Sequence, residues 1–130
     1  MLVLDATVAV TACLSSDGFA VFGEQQLLGP RLLWSESCSV LHELKWRKQI
    51  STELASVALQ RLMAMPVHHR EPGALRKQSW RIADELGWAK TYDAEYVALA
   101  QLLRCRLVTT DARLKRTASK VVEVVGPTEL

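Results

Sequence analysis

Short apolar runs alternate with longer stretches of helical periodicity along this chain, and that rhythm predicts the fold before any motif is read. Met1-Leu2-Val3-Leu4 is unbroken by polar residues, the mark of a short strand buried on both faces, and residues 6–14 follow as a helix. Asp17 is positioned to cap a second helix reaching about residue 28. Gly29-Pro30 is a breaker, and Leu32-Leu33-Trp34 is the next strand candidate. Ser35 then caps a helix over roughly residues 36–48, and Ser51 or Thr52 opens another that runs to about residue 65. Residues 66–70 read as extended. Pro72 lies in the first turn of a helix that continues to Leu86, where Gly87 supplies the stop. Asp93 opens a strongly apolar helix over residues 94–103. Leu107-Val108-Thr109 forms a strand, Asp111 starts a short helix, and residues 121–125 form the last strand.

Strands separated by helices require crossover connections, which are right-handed and generate a parallel sheet covered on both faces. The expectation is a three-layer α/β/α domain with a mainly parallel central sheet. A length of 130 residues suits one such domain, 1–130, with no internal repeat and no low-complexity linker.

Composition narrows the class. Hydrophobic residues at 49% and charged residues at 23% match a soluble globular protein rather than a disordered one. No apolar run approaches the roughly 20 residues needed to cross a bilayer, and an acid appears at position 5 where a signal peptide would be basic, then apolar. A cytoplasmic protein without a membrane segment is expected. Cys13, Cys38 and Cys105 are scattered and odd in number, so they are expected to be buried free thiols rather than a zinc site or disulfide framework.

In open α/β sheets ligands bind beyond the carboxyl ends of the strands. Asp5 directly follows the first strand, and Asp111 follows the strand at 107–109. Glu36 lies just after the candidate strand at 32–34, and Asp93 stands at a helix start. Singly, each acid has an ordinary explanation: an N-cap is worth about 1 kcal/mol, and an acid in a first helical turn favours the helix dipole. Jointly they occupy one edge, where carboxylates repel unless protons or a cation intervene. All-oxygen ligands suit Mg²⁺ or Mn²⁺, ions that bind phosphates and support phosphodiester hydrolysis. The absence of His and Cys from these segments argues against zinc.

Four segments now stand out: Val3-Leu4-Asp5-Ala6-Thr7-Val8, Pro30-Arg31-Leu32-Leu33-Trp34-Ser35-Glu36, Tyr92-Asp93-Ala94-Glu95-Tyr96-Val97-Ala98-Leu99-Ala100 and Thr109-Thr110-Asp111-Ala112-Arg113-Leu114. In this order and spacing the chain resembles the PIN-domain ribonucleases, and within them the VapC toxins of toxin–antitoxin pairs. The resemblance implies that Asp5, Glu36, Asp93 and Asp111 bind Mg²⁺, with Mn²⁺ as substitute, and cleave single-stranded or loop RNA, often in tRNA or rRNA. It also implies a cognate VapB-type antitoxin that covers the site, and homodimerisation. Thr7 matches a small hydroxyl residue near the first acid, a second-shell partner for a carboxylate or metal-bound water; Thr110 is offered in the same role beside Asp111.

Some assignments have rivals. Glu43 follows Glu36 by seven residues, roughly 10 Å along one helix face, but has Arg47 as an i,i+4 partner. Glu95 neighbours Asp93 and is a possible fifth acid, or points away. The net charge is only +2; with four of the 14 acids on a metal, ten would face 16 Lys and Arg, near +6. Arg104, Arg106, Arg113, Lys115, Arg116 and Lys120 read as a phosphate-facing rim, or as an ordinary solvated face. His68 and His69 read as surface histidines with RNA contact the alternative. Trp34 and Trp80 are expected in the core, Trp46 on a partner-binding surface. Two other functional classes compete: a PIN-like scaffold that binds RNA or a partner without cutting, and a phosphorelay receiver domain. The receiver would need an early acidic pair, which this chain lacks.

Overall fold

A computed structural model describes residues 1–130. Its elements are β1 (Leu2–Leu4), α1 (Ala6–Leu14), β2 (Leu27–Gly29), α2 (Leu32–Trp46), α3 (Thr52–Met63) and β3 (Val67–His69). They continue with α4 (Leu75–Leu86), α5 (Tyr92–Leu103), β4 (Arg106–Val108), α6 (Ala112–Ala118) and β5 (Val124–Val125). All five strands are parallel, in the order β3-β2-β1-β4-β5. From β1 the chain steps outward through β2 to β3, then crosses back to β4 on the far side. With right-handed crossovers, α1, α2 and α3 cover one face and α4, α5 and α6 the other. The packing agrees, since α1, α2 and α3 touch one another and α4 packs along α5. This is the expected three-layer α/β/α domain.

The core is one cluster centred on β1, β4 and α5. Leu2, Val3 and Leu4 are fully buried, as are Val97, Ala98, Leu99 and Ala100 of α5. An alanine-rich helix lets its backbone approach the sheet closely, which is why α5 can lie directly on β1 and β4. No helix is long and apolar enough to cross a membrane.

The segment between α1 and α2 differs from the sequence expectation. No helix spans residues 17–28: Gly18 and Gly23, both at φ 56°, turn the chain, and only a 3₁₀ turn at Ala20–Phe22 forms between them. The second strand is Leu27–Gly29, in register with β1 through Leu2–Leu27 and Val3–Leu28. Leu32-Leu33-Trp34 is the first turn of α2, not a strand, and Leu33, Ser37 and Leu41 form that helix's buried stripe. A three-residue apolar run carries no period, so strand and helix face look alike in it. Gly29 leaves room for the packing that follows, since a Cβ there would stand 2.5 Å from Leu33 Cδ2.

Smaller differences follow from packing. Thr91, not Asp93, is the N-cap residue of α5, so Asp93 lies inside the first turn without a capping bond. The last strand is limited to two residues. Trp80 is 68% exposed because the buried stripe of α4 runs through Leu75, Ser79, Ile82 and Ala83, one position off the indole. Trp34 is half-buried against the core, and Trp46 is exposed as expected. The three cysteines are free, but only Cys13 is buried; Cys38 is exposed and Cys105 half-buried.

Candidate active site

Strand order reverses between β1 and β4, and at such a switch point adjacent crossovers run to opposite faces and leave a crevice beyond the carboxyl ends. Asp5 leaves β1 there and Asp111 follows β4. Asp5 is the N-cap of α1 and is almost fully buried. Its Oδ1 accepts the Val8 N–H at 3.2 Å and the Thr7 hydroxyl at 2.6 Å, and its Oδ2 accepts the Thr109 hydroxyl. Each of these hydroxyls also accepts a backbone N–H, from Thr110 at 3.1 Å into Thr7 and from Asp111 at 3.0 Å into Thr109. With their single protons donated to Asp5, the two threonines fix its carboxylate and stitch the ends of β1 and β4 together. The hydroxyl beside Asp111 that reaches Asp5 is therefore Thr109's, while Thr110 is exposed and contributes its backbone. Thr109 was missed because it reads as the last residue of a strand, and nothing local signals a bond across 104 positions.

Asp111 caps α6, accepting the N–H groups of Arg113 at 2.9 Å and Leu114 at 3.2 Å. Asp93, freed from capping, and Glu36 line one cleft of about 540 Å³ together with Lys90 and Tyr92. Side chains on a helix tilt toward its N-terminus, so Glu36, in the second turn of α2, leans back to the sheet edge. Glu43, two turns on, is exposed and paired with Arg47 at 2.6 Å.

The electrostatics tie the acids together. Burial pushes the Asp5 carboxyl above its ordinary range, with Asp93 adding to the rise against the hydrogen bonds that lower it. Glu36 is raised to about 7, first by burial, then by the charges of Asp93 and Asp5, while the Tyr96 hydroxyl opposes the shift. Asp93 is raised by burial and by Asp111. Tyr96 is fully buried beside these acids and its phenol is pushed upward, so it stays neutral. None of the four acids forms an ion pair. Their side chains share an edge but do not close round one point: no three Asp, Glu, His or Cys groups converge tightly enough to enclose an ion.

Glu95 is different. It is buried, yet its Oε1 lies 2.8 Å from Arg76 Nη1, an ion pair by distance whose angle is poor for a hydrogen bond. Arg76 also reaches Glu71 at 3.4 Å, and Glu71 accepts the Arg31 N–H at 2.9 Å at the turn that launches α2. The network links the helices that carry Glu36 and Asp93. Replacing Arg76 by Ala strands a buried charge. Removing one partner of a buried pair costs about 3–5 kcal/mol. Because this guanidinium is 68% exposed, screening reduces the expected loss to about 1–2 kcal/mol. Denaturant unfolding should show it, with Glu95→Gln in the same chain recovering most of the loss. An unchanged midpoint in Arg76→Ala would contradict this account.

The expected basic rim is only partly at this edge. Arg106 opens β4 opposite Leu2, at the amino end of the sheet, and Arg104 caps the preceding helix there. Three strand residues, roughly 10 Å, separate them from the acids. Lys115 is paired with Glu129, and α6 carries Lys120 away from Asp111. Arg113, in the first turn of α6, is the member nearest the site.

The PIN domain model matches residues 2–120. The chain belongs to the PIN-domain family. Within it the chain falls among the VapC proteins. It is 37% identical over 119 residues to Ribonuclease VapC9 of Mycobacterium tuberculosis and to VapC ribonuclease Mb0985 of Mycobacterium bovis, covering 90% of this chain and 91% of each relative. Solved structures agree in fold. PAE2754 from Pyrobaculum aerophilum superposes with a TM-score of 0.74 at 23% identity, covering 98% of this chain and 90% of that one. FitAcB from Neisseria gonorrhoeae gives a TM-score of 0.63 at 19% identity, with both chains fully covered.

Proposed function

We propose that this protein is a Mg²⁺- or Mn²⁺-dependent endoribonuclease toxin that hydrolyses phosphodiester bonds of single-stranded or loop RNA. The observation that carries the reading is a set of carboxyls at the switch point, three of them pushed upward by burial and mutual repulsion, with no protein cation paired to any of the four. A divalent cation offsets that repulsion, and the oxygen-only donor set fits a hard ion. In this reading Asp5, Glu36, Asp93 and Asp111 hold the ion and its waters. When bound, the metal lowers the pKa of a water and neutralises charge on the phosphate. Thr7 and Thr109 keep the Asp5 carboxylate oriented, and the buried Tyr96 hydroxyl, without a hydrogen-bond partner in the protein, lies beside the acids. Lys90, lining the cleft with Glu36 and Asp93, supplies positive charge for a phosphate.

The same reading includes a cognate VapB-type antitoxin as partner, a homodimer and action in the cytoplasm, as the VapC resemblance implies. The exposed side chains of Trp46, Met63 and Trp80 supply apolar surface for such contacts. The test is direct. Purified protein stripped with chelator should leave single-stranded RNA intact, and adding Mg²⁺ or Mn²⁺ should start endonucleolytic cutting. Intact RNA at every metal concentration would leave the non-cutting scaffold as the better reading.

A further inference from the structure

The carboxyl edge extends beyond the acids. In the β2–β3 register Gly29 lies beside His69, so His69 and Arg70 end β3 on the same rim that Asp5 and Asp111 occupy. Arg31 lies two residues after β2 at the start of α2, and Trp34 stands in the first turn of α2, two residues before Glu36. Residues two apart on a helix face different sides, so Trp34 turns toward β3. Its ring meets His69 edge to face, with centroids 6.3 Å apart and planes at 85°. Two rings at a right angle make a corner, and with Arg31 they line an open cleft of about 360 Å³. Neither Arg31 nor Arg70 offers its guanidinium to any acid of the protein, whereas Arg47, Arg76 and Lys115 are all paired.

An aromatic face accepts any nucleobase by stacking, and an unpaired guanidinium beside it accepts the phosphate. We propose that Trp34, His69 and Arg31 form a subsite for one unpaired nucleobase and its phosphate, on the same rim as the acids. The proposal rests on the RNA-cleaving reading and specifies where the strand lies: from the switch point across β2 to β3, rather than along Arg104 and Arg106. It also adds positive charge to an edge where, of the expected basic rim, Arg113 lies nearest.

A packing role alone would let the ring pair add to stability, with no dependence on a base. The two are separated by binding rather than cleavage. A fluorescently labelled single-stranded RNA oligonucleotide would be titrated with the full chain in chelator, so that it stays intact. His69→Ala, whose side chain is exposed, and Trp34→Leu, which retains apolar packing but no aromatic face, are expected to bind about tenfold more weakly, the loss typical of one stacked base. Arg31→Gln should reduce the slope of log affinity against log salt by about 0.7, one single-strand phosphate contact. Against an oligonucleotide of the same length with abasic positions, His69→Ala and wild type should bind alike. Unchanged RNA affinity in His69→Ala and Arg31→Gln, or no RNA binding by wild type, overturns the subsite. So does weaker binding of a protein partner with RNA affinity unmoved. Metal-dependent cleavage by wild type with an unaltered His69→Ala variant would remove the subsite and leave the nuclease reading standing.

Discussion

Replacing Asp5 by Asn is expected to lower metal-dependent RNA cleavage at least about a hundredfold, close to 2.7 kcal/mol of barrier, while the domain stays folded. The side chain sits at the one point where β1, β4 and α1 meet, and both its oxygens are held by hydroxyls and a backbone N–H. Asn retains an acceptor for the Val8 N–H, so the cap survives. What disappears is a negative charge, and with it the attraction for a divalent ion. Thermal unfolding in chelator should move by no more than about 4 °C, the size of a 1 kcal/mol effect in a domain of this length. Cleavage by Asp5→Asn at the wild-type rate would mean that the switch-point acids do not run the chemistry.

The second large effect separates Glu36 from Glu43. Glu36→Gln should reduce cleavage at limiting Mg²⁺ by at least about tenfold, since a cation held by few carboxylates loses a charged ligand. Glu43→Gln should remain within about twofold, because it breaks only a surface pair worth a few tenths of a kcal/mol. Equal losses in both variants would undo the assignment. The raised Glu36 carboxyl adds a pH signature. With its pKa at about 7 in the folded chain, half of it is protonated near neutrality without metal. Cleavage at limiting Mg²⁺ should therefore fall as pH drops through about 7, and saturating metal should move that midpoint lower by favouring the charged form.

The stability of the metal-free protein runs the other way. A carboxyl whose folded pKa lies above its unfolded value binds its proton more tightly when folded. Its contribution is then full below the unfolded value of 4.5 and is lost as pH rises to about 7. Thermal unfolding in chelator should show this decline, Glu36→Gln should flatten it, and Mg²⁺ should reverse it.

Much of this was legible along the chain. The apolar runs at residues 2–4 and 107–108 marked the two central strands, because a strand buried on both faces leaves no polar alternation. Asp5 and Asp111, directly after those runs, could be assigned to the carboxyl edge for the same reason. Ser51, Gly87 and Asp111 were readable as helix ends because capping chemistry is local: Ser51 accepts the Leu54 N–H at 3.0 Å, and Gly87 takes φ 72°. The segment from residue 17 to 34 was misread because its decisive facts are not local. Leu27 is strand through its partnership with Leu2, and Leu33 is helix as part of the buried stripe it forms with Ser37 and Leu41.

The sequence by itself determined that Asp5 and Asp111 follow the central strands, that no His or Cys accompanies them, and that the sheet they edge is parallel. Residue type and order suffice for that, since each depends on chemistry within a few positions. Only the tertiary structure decided how the edge is equipped. It put Thr109 rather than Thr110 on Asp5, sent Glu43 to solvent, and gave Glu95 a partner in Arg76. It also left Arg104 and Arg106 at the far end of the sheet while bringing Arg31, Trp34 and His69 to the near one. Those outcomes depend on which strand lies beside which, and crossovers bring together residues 35 to 104 positions apart that no local pattern connects.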